Sequence, residues 1–139
     1  MSGATGVHVG QGDLRPADAR ALLGPDAVIG RSTHDAAQVA ATVEEPVSYV
    51  AVGPVFQTAT KETGYAALGL AAVSMAVRRA AGRPVVAIGG ITLETVAAVI
   101  AAGASGVAVI GDLLTGGDPA ARTAAYVALL GAARSTGVG

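Results

Sequence analysis

The chain has 139 residues, of which 52% are hydrophobic, 14% charged and 3% aromatic, with 20 glycines, no cysteine and a formal charge of -1. Globular chains usually carry about 25% charged residues, so this apolar sequence excludes disorder, a disulfide scaffold and any thiolate metal site or thiol nucleophile. Its nine Lys+Arg are scattered rather than clustered, which argues against nucleic acid or an anionic membrane as partner.

In chain order, Val7-His8-Val9 reads as a first strand, followed by the Gly10-Gln11-Gly12-Asp13 loop and a helix from Pro16 to Leu23 that ends at Gly24. Ala27 to Gly30 is a second strand, Arg31-Ser32-Thr33-His34 its loop, and Asp35 caps a helix from Ala36 to Val43. A third strand, Tyr49 to Gly53, leads through a loop from Phe56 to Tyr65 into a helix from Ala66 to Ala81 that stops at Gly82. Pro84 to Ile88 is a fourth strand, with Gly89-Gly90 turning into a helix from Leu93 to Ala102 capped by Thr92. Val107 to Ile110 is the fifth, and Asp118-Pro119 opens a last helix from Ala120 to Ala133. Asx or Thr caps, proline at the first helical position and glycine past the end are the expected punctuation.

Near-continuous apolar strands separated by Ala-rich helices predict an α/β fold with a parallel sheet, either doubly wound or a (β/α) barrel, in one domain over residues 1–139. Residues 95–111 carry no charge. Gly103, Ser105 and Gly106 interrupt them, so they read as helix, turn and strand rather than as a membrane span of about 20 residues. The N-terminus has neither a basic region nor an apolar core of signal-peptide length, so a cytoplasmic location is expected.

In either architecture ligands sit beyond the carboxyl ends of the strands, where the polar and glycine residues of this chain gather. The turns at Gly89-Gly90 and Ile110-Gly111 can offer backbone amides to a phosphate, or else only allow tight bends. Thr58 and Thr60 flank the approach to Lys61, the single lysine, which suits a phosphate or pyrophosphate as readily as it suits a solvated loop. Asp13 is either a Mg²⁺ ligand or an acid at the start of the following helix. His34 is a candidate acid or base, or a group that orients its loop. His8, within an apolar run, is expected to be a hydrogen-bonded core histidine.

The strings Gly6-Val7-His8-Val9-Gly10-Gln11-Gly12-Asp13, Ile29-Gly30-Arg31-Ser32-Thr33-His34, Val52-Gly53-Pro54 through Thr58-Ala59-Thr60-Lys61, Ala87-Ile88-Gly89-Gly90-Ile91 and Ala102 through Ile110 resemble, in this order, the thiamine phosphate synthase family. The resemblance implies a (β/α)8 TIM barrel, here an incomplete one of about five β-α units corresponding to strands 4 to 8. It also implies an enzyme that joins a pyrimidine diphosphate to a thiazole phosphate with Mg²⁺, releasing pyrophosphate. Carried across, Asp13 would be a metal ligand, Ser32 and Lys61 would hold the pyrimidine diphosphate and serve catalysis, and Thr58, Thr60, Gly90, Ile110 and Gly111 would bind the thiazole phosphate. The family's Gln-x-Arg and Asn-Asp segments, with its first three strands, would lie before residue 1. Thr5 and Gly111 stand where the family usually has Asp and Ser. Two further readings follow: a phosphate-binding partial barrel without activity, and a thiazole tautomerase in which His34 transfers the proton. An open barrel segment is expected to self-associate or to be completed by another chain.

Overall fold

A computed structural model describes residues 3–57 and 64–136. Five parallel strands, β1 (Gly6–Val9), β2 (Val28–Thr33), β3 (Tyr49–Val52), β4 (Val85–Ile88) and β5 (Gly106–Ala108), pair in strict sequence order. A doubly wound sheet reverses its strand order at a switch point, and none occurs here. The sheet is therefore an arc of a (β/α) barrel. Between the strands run α1 (Pro16–Leu23), α2 (Ala36–Thr42), α3 (Gly69–Arg79) and α4 (Val96–Ala101), and a 3-10 turn (Gly111–Leu114) leads into α5 (Pro119–Thr136).

Local chemistry accounts for these boundaries. Proline opens α1, and Gly24, at φ +90°, closes it with an N–H bonded to the Arg20 carbonyl. The Arg20 guanidinium then donates to the carbonyls of Pro25 (2.9 Å), Pro46 (3.1 Å) and Ala27, tying the end of α1 to the segments that lead into β2 and β3. Asp35 caps α2 by accepting the Gln38 amide at 2.8 Å. α3 begins at Gly69 instead of Ala66, because Gly69 adopts φ +73° and its amide, with that of Leu68, is bonded back to the carbonyls of Val55 and Pro54. α4 begins at Val96 because Leu93 to Thr95 form a tight turn in which the Thr95 hydroxyl accepts the Thr92 amide at 2.9 Å. The Thr92 carbonyl, rather than its hydroxyl, receives the first helical amide, that of Val96.

Each strand has two unlike faces, as its period of two requires. On the outer face Val50, Val52, Val85 and Ala87 are fully buried beneath Val39 of α2, Val73 and Ala76 of α3, and Val96 and Val99 of α4. Full burial of a valine stabilises by roughly 1.5–3 kcal/mol, so this layer supplies most of the core. On the inner face the registered row His8–Gly30–Tyr49 crosses three strands. A Cβ on Gly30 would run into the Tyr49 ring, so the glycine is what lets His8 and Tyr49 meet across β2.

β2 continues three residues beyond its expected end, since Arg31, Ser32 and Thr33 pair with Val50, Ala51 and Val52. Ser32 thus sits on a strand, two residues from Gly30 and on the same inner face. His8 is not a core residue. It is exposed on that inner face, and Val9 turns toward the core in its place. Among the described residues β1 and β5 are paired on one side only, and Val7, Val28 and Ile110 remain exposed.

Gly30→Ala should destabilise the fold by about 1–3 kcal/mol through overpacking against Tyr49. Gly30→Ala combined with Tyr49→Ala should recover part of that loss in urea unfolding, and additive losses would show that the two residues do not share this space.

Candidate functional site

A cavity of about 680 Å³ opens at the carboxyl ends of the strands. Ser32, His34, Gly90, Ile110 and Gly111 all line it. Asp13 lies at the same end, exposed, in the loop that leaves β1, with its Oδ2 accepting the Gly10 amide at 2.7 Å. Thr58, Thr60 and Lys61 lie outside the described residues. The segment leading to them is positioned all the same: the Val55 amide donates to the Ile88 carbonyl at 2.9 Å and that of Phe56 to Gly89 at 3.1 Å.

The glycine turn after β4 is conformationally demanding. Gly89 and Gly90 adopt φ +88° and +65°, a region that side chains enter only with strain. A Cβ on Gly90 would also overlap the backbone of Phe56 and Gln57. The turn is therefore packed directly against the start of the segment that carries Lys61. Across the cavity, β5 ends and Ile110 leads into the 3-10 turn that Gly111 opens. Neither the Gly90 nor the Gly111 amide finds an acceptor among the described residues.

The inner face carries a hydrogen-bonded chain that only partly shows in the sequence. His8 Nδ1 lies 2.9 Å from the Tyr49 hydroxyl and Nε2 lies 2.8 Å from the Ser32 hydroxyl. Partial desolvation of the His8 ring, exposed though it is in part, pushes its pKa down against the opposing pull of Asp13, and burial raises that of Tyr49. Both are therefore neutral near pH 7, and the proton order along the chain can run in either direction because each hydroxyl can donate or accept. The alternation Val7, His8, Val9 already places the histidine opposite the core face. Tyr49 carries no such signal, since its neighbour across Gly30 is set by register.

His34 is held differently. Its Nδ1 meets the Gly53 carbonyl, which can only accept, so in the neutral ring Nδ1 carries the proton and Nε2 the lone pair. Tyr65 stacks on the imidazole with ring centroids 3.8 Å apart. Gln11 anchors the β1 loop by donating to the Ser32 carbonyl at 2.6 Å. Arg31 is paired with Glu45 at 2.9 Å.

Asp13 is a single carboxylate with one oxygen already accepting an amide, and among the described residues no group of three His, Cys, Asp or Glu side chains gathers to form a metal cage. Mg²⁺ commonly binds through one or two carboxylates plus substrate phosphates. This donor set fits that mode and no fuller one. Among the described residues no helix is long and apolar enough to cross a membrane.

A sequential parallel strand arc, a cavity at its carboxyl ends and a pair of glycine turns on one rim define a (β/α)-barrel protein shaped to receive a small ligand. Comparison with known proteins narrows the class. Residues 1–113 match the family model described as thiamine monophosphate synthase. The chain is 47% identical over 129 residues to the thiamine-phosphate synthase of Laribacter hongkongensis and 44% identical over 129 residues to that of Koribacter versatilis, covering 93% of this chain and 60% of each relative. A solved thiamine phosphate pyrophosphorylase from Pyrococcus furiosus superposes with a TM-score of 0.82 at 26% identity, over 94% of this chain and 61% of that one. The chain belongs to the thiamine monophosphate synthase family. It spans about 60% of the length of the curated relatives it matches.

The lowered pKa of His8 has a measurable consequence. In an NMR titration its midpoint should fall below the ordinary value of 6.5. A group depressed on folding is charged more readily in the unfolded chain, so its contribution to stability is present above pH 6.5 and declines as the pH falls below it. A midpoint at or above 6.5 would show that Asp13, and not burial, sets the titration.

Proposed function

We propose that this chain contributes to thiamine phosphate synthesis, coupling a pyrimidine diphosphate to a thiazole phosphate with loss of pyrophosphate. The observation that carries the reading is the rim formed by Gly90 and Gly111, whose amides are unspent among the described residues and border one cavity. Backbone N–H groups at such turns are suited to phosphate oxygens. Ile110 completes this rim, and Thr58 and Thr60 follow the Phe56-Gln57 segment packed on Gly90, so the thiazole phosphate is assigned to this side.

The pyrimidine is assigned to the inner face, where Ser32 receives or gives the proton of its hydroxyl bond through His8 and Tyr49. Lys61 is assigned to the diphosphate as a compact cation. Asp13 would hold Mg²⁺, which when bound neutralises charge on the leaving diphosphate. The protein's own task is to align the two substrates and exclude water while the pyrimidine carbon loses pyrophosphate and the thiazole nitrogen takes its place. A cytoplasmic location belongs to the same reading.

The protein should bind thiazole phosphate saturably in calorimetry, and Gly90→Ala should weaken that binding by about tenfold or more, because the new side chain is strained and displaces the turn. With pyrimidine diphosphate and Mg²⁺ added, thiamine phosphate should form and Lys61→Ala should slow turnover at saturating substrates. Thiazole phosphate binding without product would leave the phosphate-binding, non-catalytic reading in its place.

We also propose that the protein self-associates or is completed by another chain, on the strength of β1 and β5, each paired on one side only among the described residues, and of exposed Val7, Val28 and Ile110. Sedimentation should show a species heavier than the 13.4 kDa chain. A monodisperse monomer at all concentrations would refute it.

A further inference from the structure

Asp112 follows Gly111 directly and lines the same cavity, yet its side chain is only 8% exposed. Its Oδ2 accepts from the Leu93 amide at 3.3 Å, from Arg122 Nε at 3.1 Å and from the Tyr126 hydroxyl at 2.6 Å, while Oδ1 accepts from Arg122 Nη2 at 2.7 Å. Leu93 belongs to the turn after β4, Asp112 to the turn after β5, and Arg122 and Tyr126 to α5, four residues apart and so on one helix face. Tyr126 is buried and also approaches the Ile91 carbonyl at 3.4 Å. Its single proton goes to the nearer, charged acceptor. One carboxylate therefore joins both turns of the rim to the helix behind them.

A carboxylate next to a phosphate site is electrostatically unfavourable on its own, since two anions repel. The bidentate pair with Arg122 cancels that charge. Arg122 in turn is committed to Asp112, with both nitrogens that face it bonded to the carboxylate. The favourable contribution of Asp112 is thus geometric.

We propose that Asp112 is a positioning residue for the phosphate rim: it sets the spacing between the Gly90 and Gly111 turns through Leu93, with Arg122 as its charge-cancelling partner and Tyr126 as its brace. The inference rests on reading that rim as the phosphate site. No group in the cluster needs to touch the ligand for this role.

Charge and geometry predict opposite signs for Asp112→Asn, which makes the test sharp. Removing a negative charge beside an anion would by itself tighten binding of thiazole phosphate. Loss of the hub should instead weaken it by roughly tenfold, the scale of one hydrogen bond to a charged group. Affinity for the unphosphorylated thiazole alcohol should stay unchanged, and the Leu93 amide should exchange faster with solvent. Unchanged or tighter phosphate binding would overturn the proposal, as would an equal loss for the phosphate and the alcohol, which would mark a merely structural residue. Tyr126→Phe keeps the ion pair and removes one brace, so it should shift both readouts in the same direction by less, and it serves if Asp112→Asn does not fold. Should the parent protein fail to bind thiazole phosphate, the rim reading falls on its own, and Leu93 exchange still judges the clamp: faster in either variant supports it and unchanged in both overturns it.

Discussion

Every strand in this sheet must satisfy two environments at once, and the rest of the structure follows from how the sequence divides them. A parallel sheet with crossover helices buries its outer face completely, and here that face is largely valine and alanine, covered by helical valine and alanine with larger residues such as Leu70 and Ile100 beside them. The inner face is released from that demand. It can carry His8, Ser32 and Tyr49 because their polar atoms bond to one another, and among the described residues no buried side-chain polar atom lacks a partner. Gly30 is the hinge of this division: Ile29 and Thr33 on the outer face of the same strand are buried, while the missing side chain of Gly30 opens the inner row.

The loops at the carboxyl ends form a connected rim, not five independent excursions. The end of β3 is bonded to the turn after β4 through Val55 and Phe56, that turn is bonded to the next through Leu93 and Asp112, and the first loop is hooked to β2 through Gln11. A rim held in this way loses little freedom when a ligand arrives, which is the main means by which backbone donors reach useful affinity. Gly89 and Gly90 hold their left-handed conformations without strain, and a Cβ on either would meet the Pro54–Gln57 segment.

Much of the fold was legible from the residues. Proline and glycine punctuation marked α1, and Asp35 marked α2, because these signals are local. Two of the misplaced boundaries have tertiary causes. α3 starts late because Leu68 and Gly69 are bonded to the end of β3, and β2 runs long because β3 lies beside it to pair with Ser32 and Thr33. The apolar run around His8 suggests a core residue, whereas strand alternation turns it to the inner face. Of the site, the glycine turns and Ser32 were visible as motifs. Tyr49, Arg122 and Tyr126 were not, since each acquires its role from a partner 10 to 41 residues away in sequence. The choice between a barrel and a doubly wound sheet was likewise decided only by strand order, which no local pattern encodes.

The sparse charge of the chain also has a consequence at the rim. Arg31 is committed to Glu45 and Arg122 to Asp112, so neither guanidinium is available as a free cation for an anionic ligand. On the proposed phosphate side we therefore assign the positive potential to backbone amides, with Lys61 kept for the diphosphate. Amide dipoles act over short distances and demand correct placement, whereas a lysine attracts at longer range and is screened by salt. A site built in this way trades strength of long-range attraction for selectivity of shape. That is the condition under which a carboxylate such as Asp112 becomes useful beside an anion: where recognition depends on the exact spacing of two turns, a paired charge that holds the spacing contributes more than its repulsion costs.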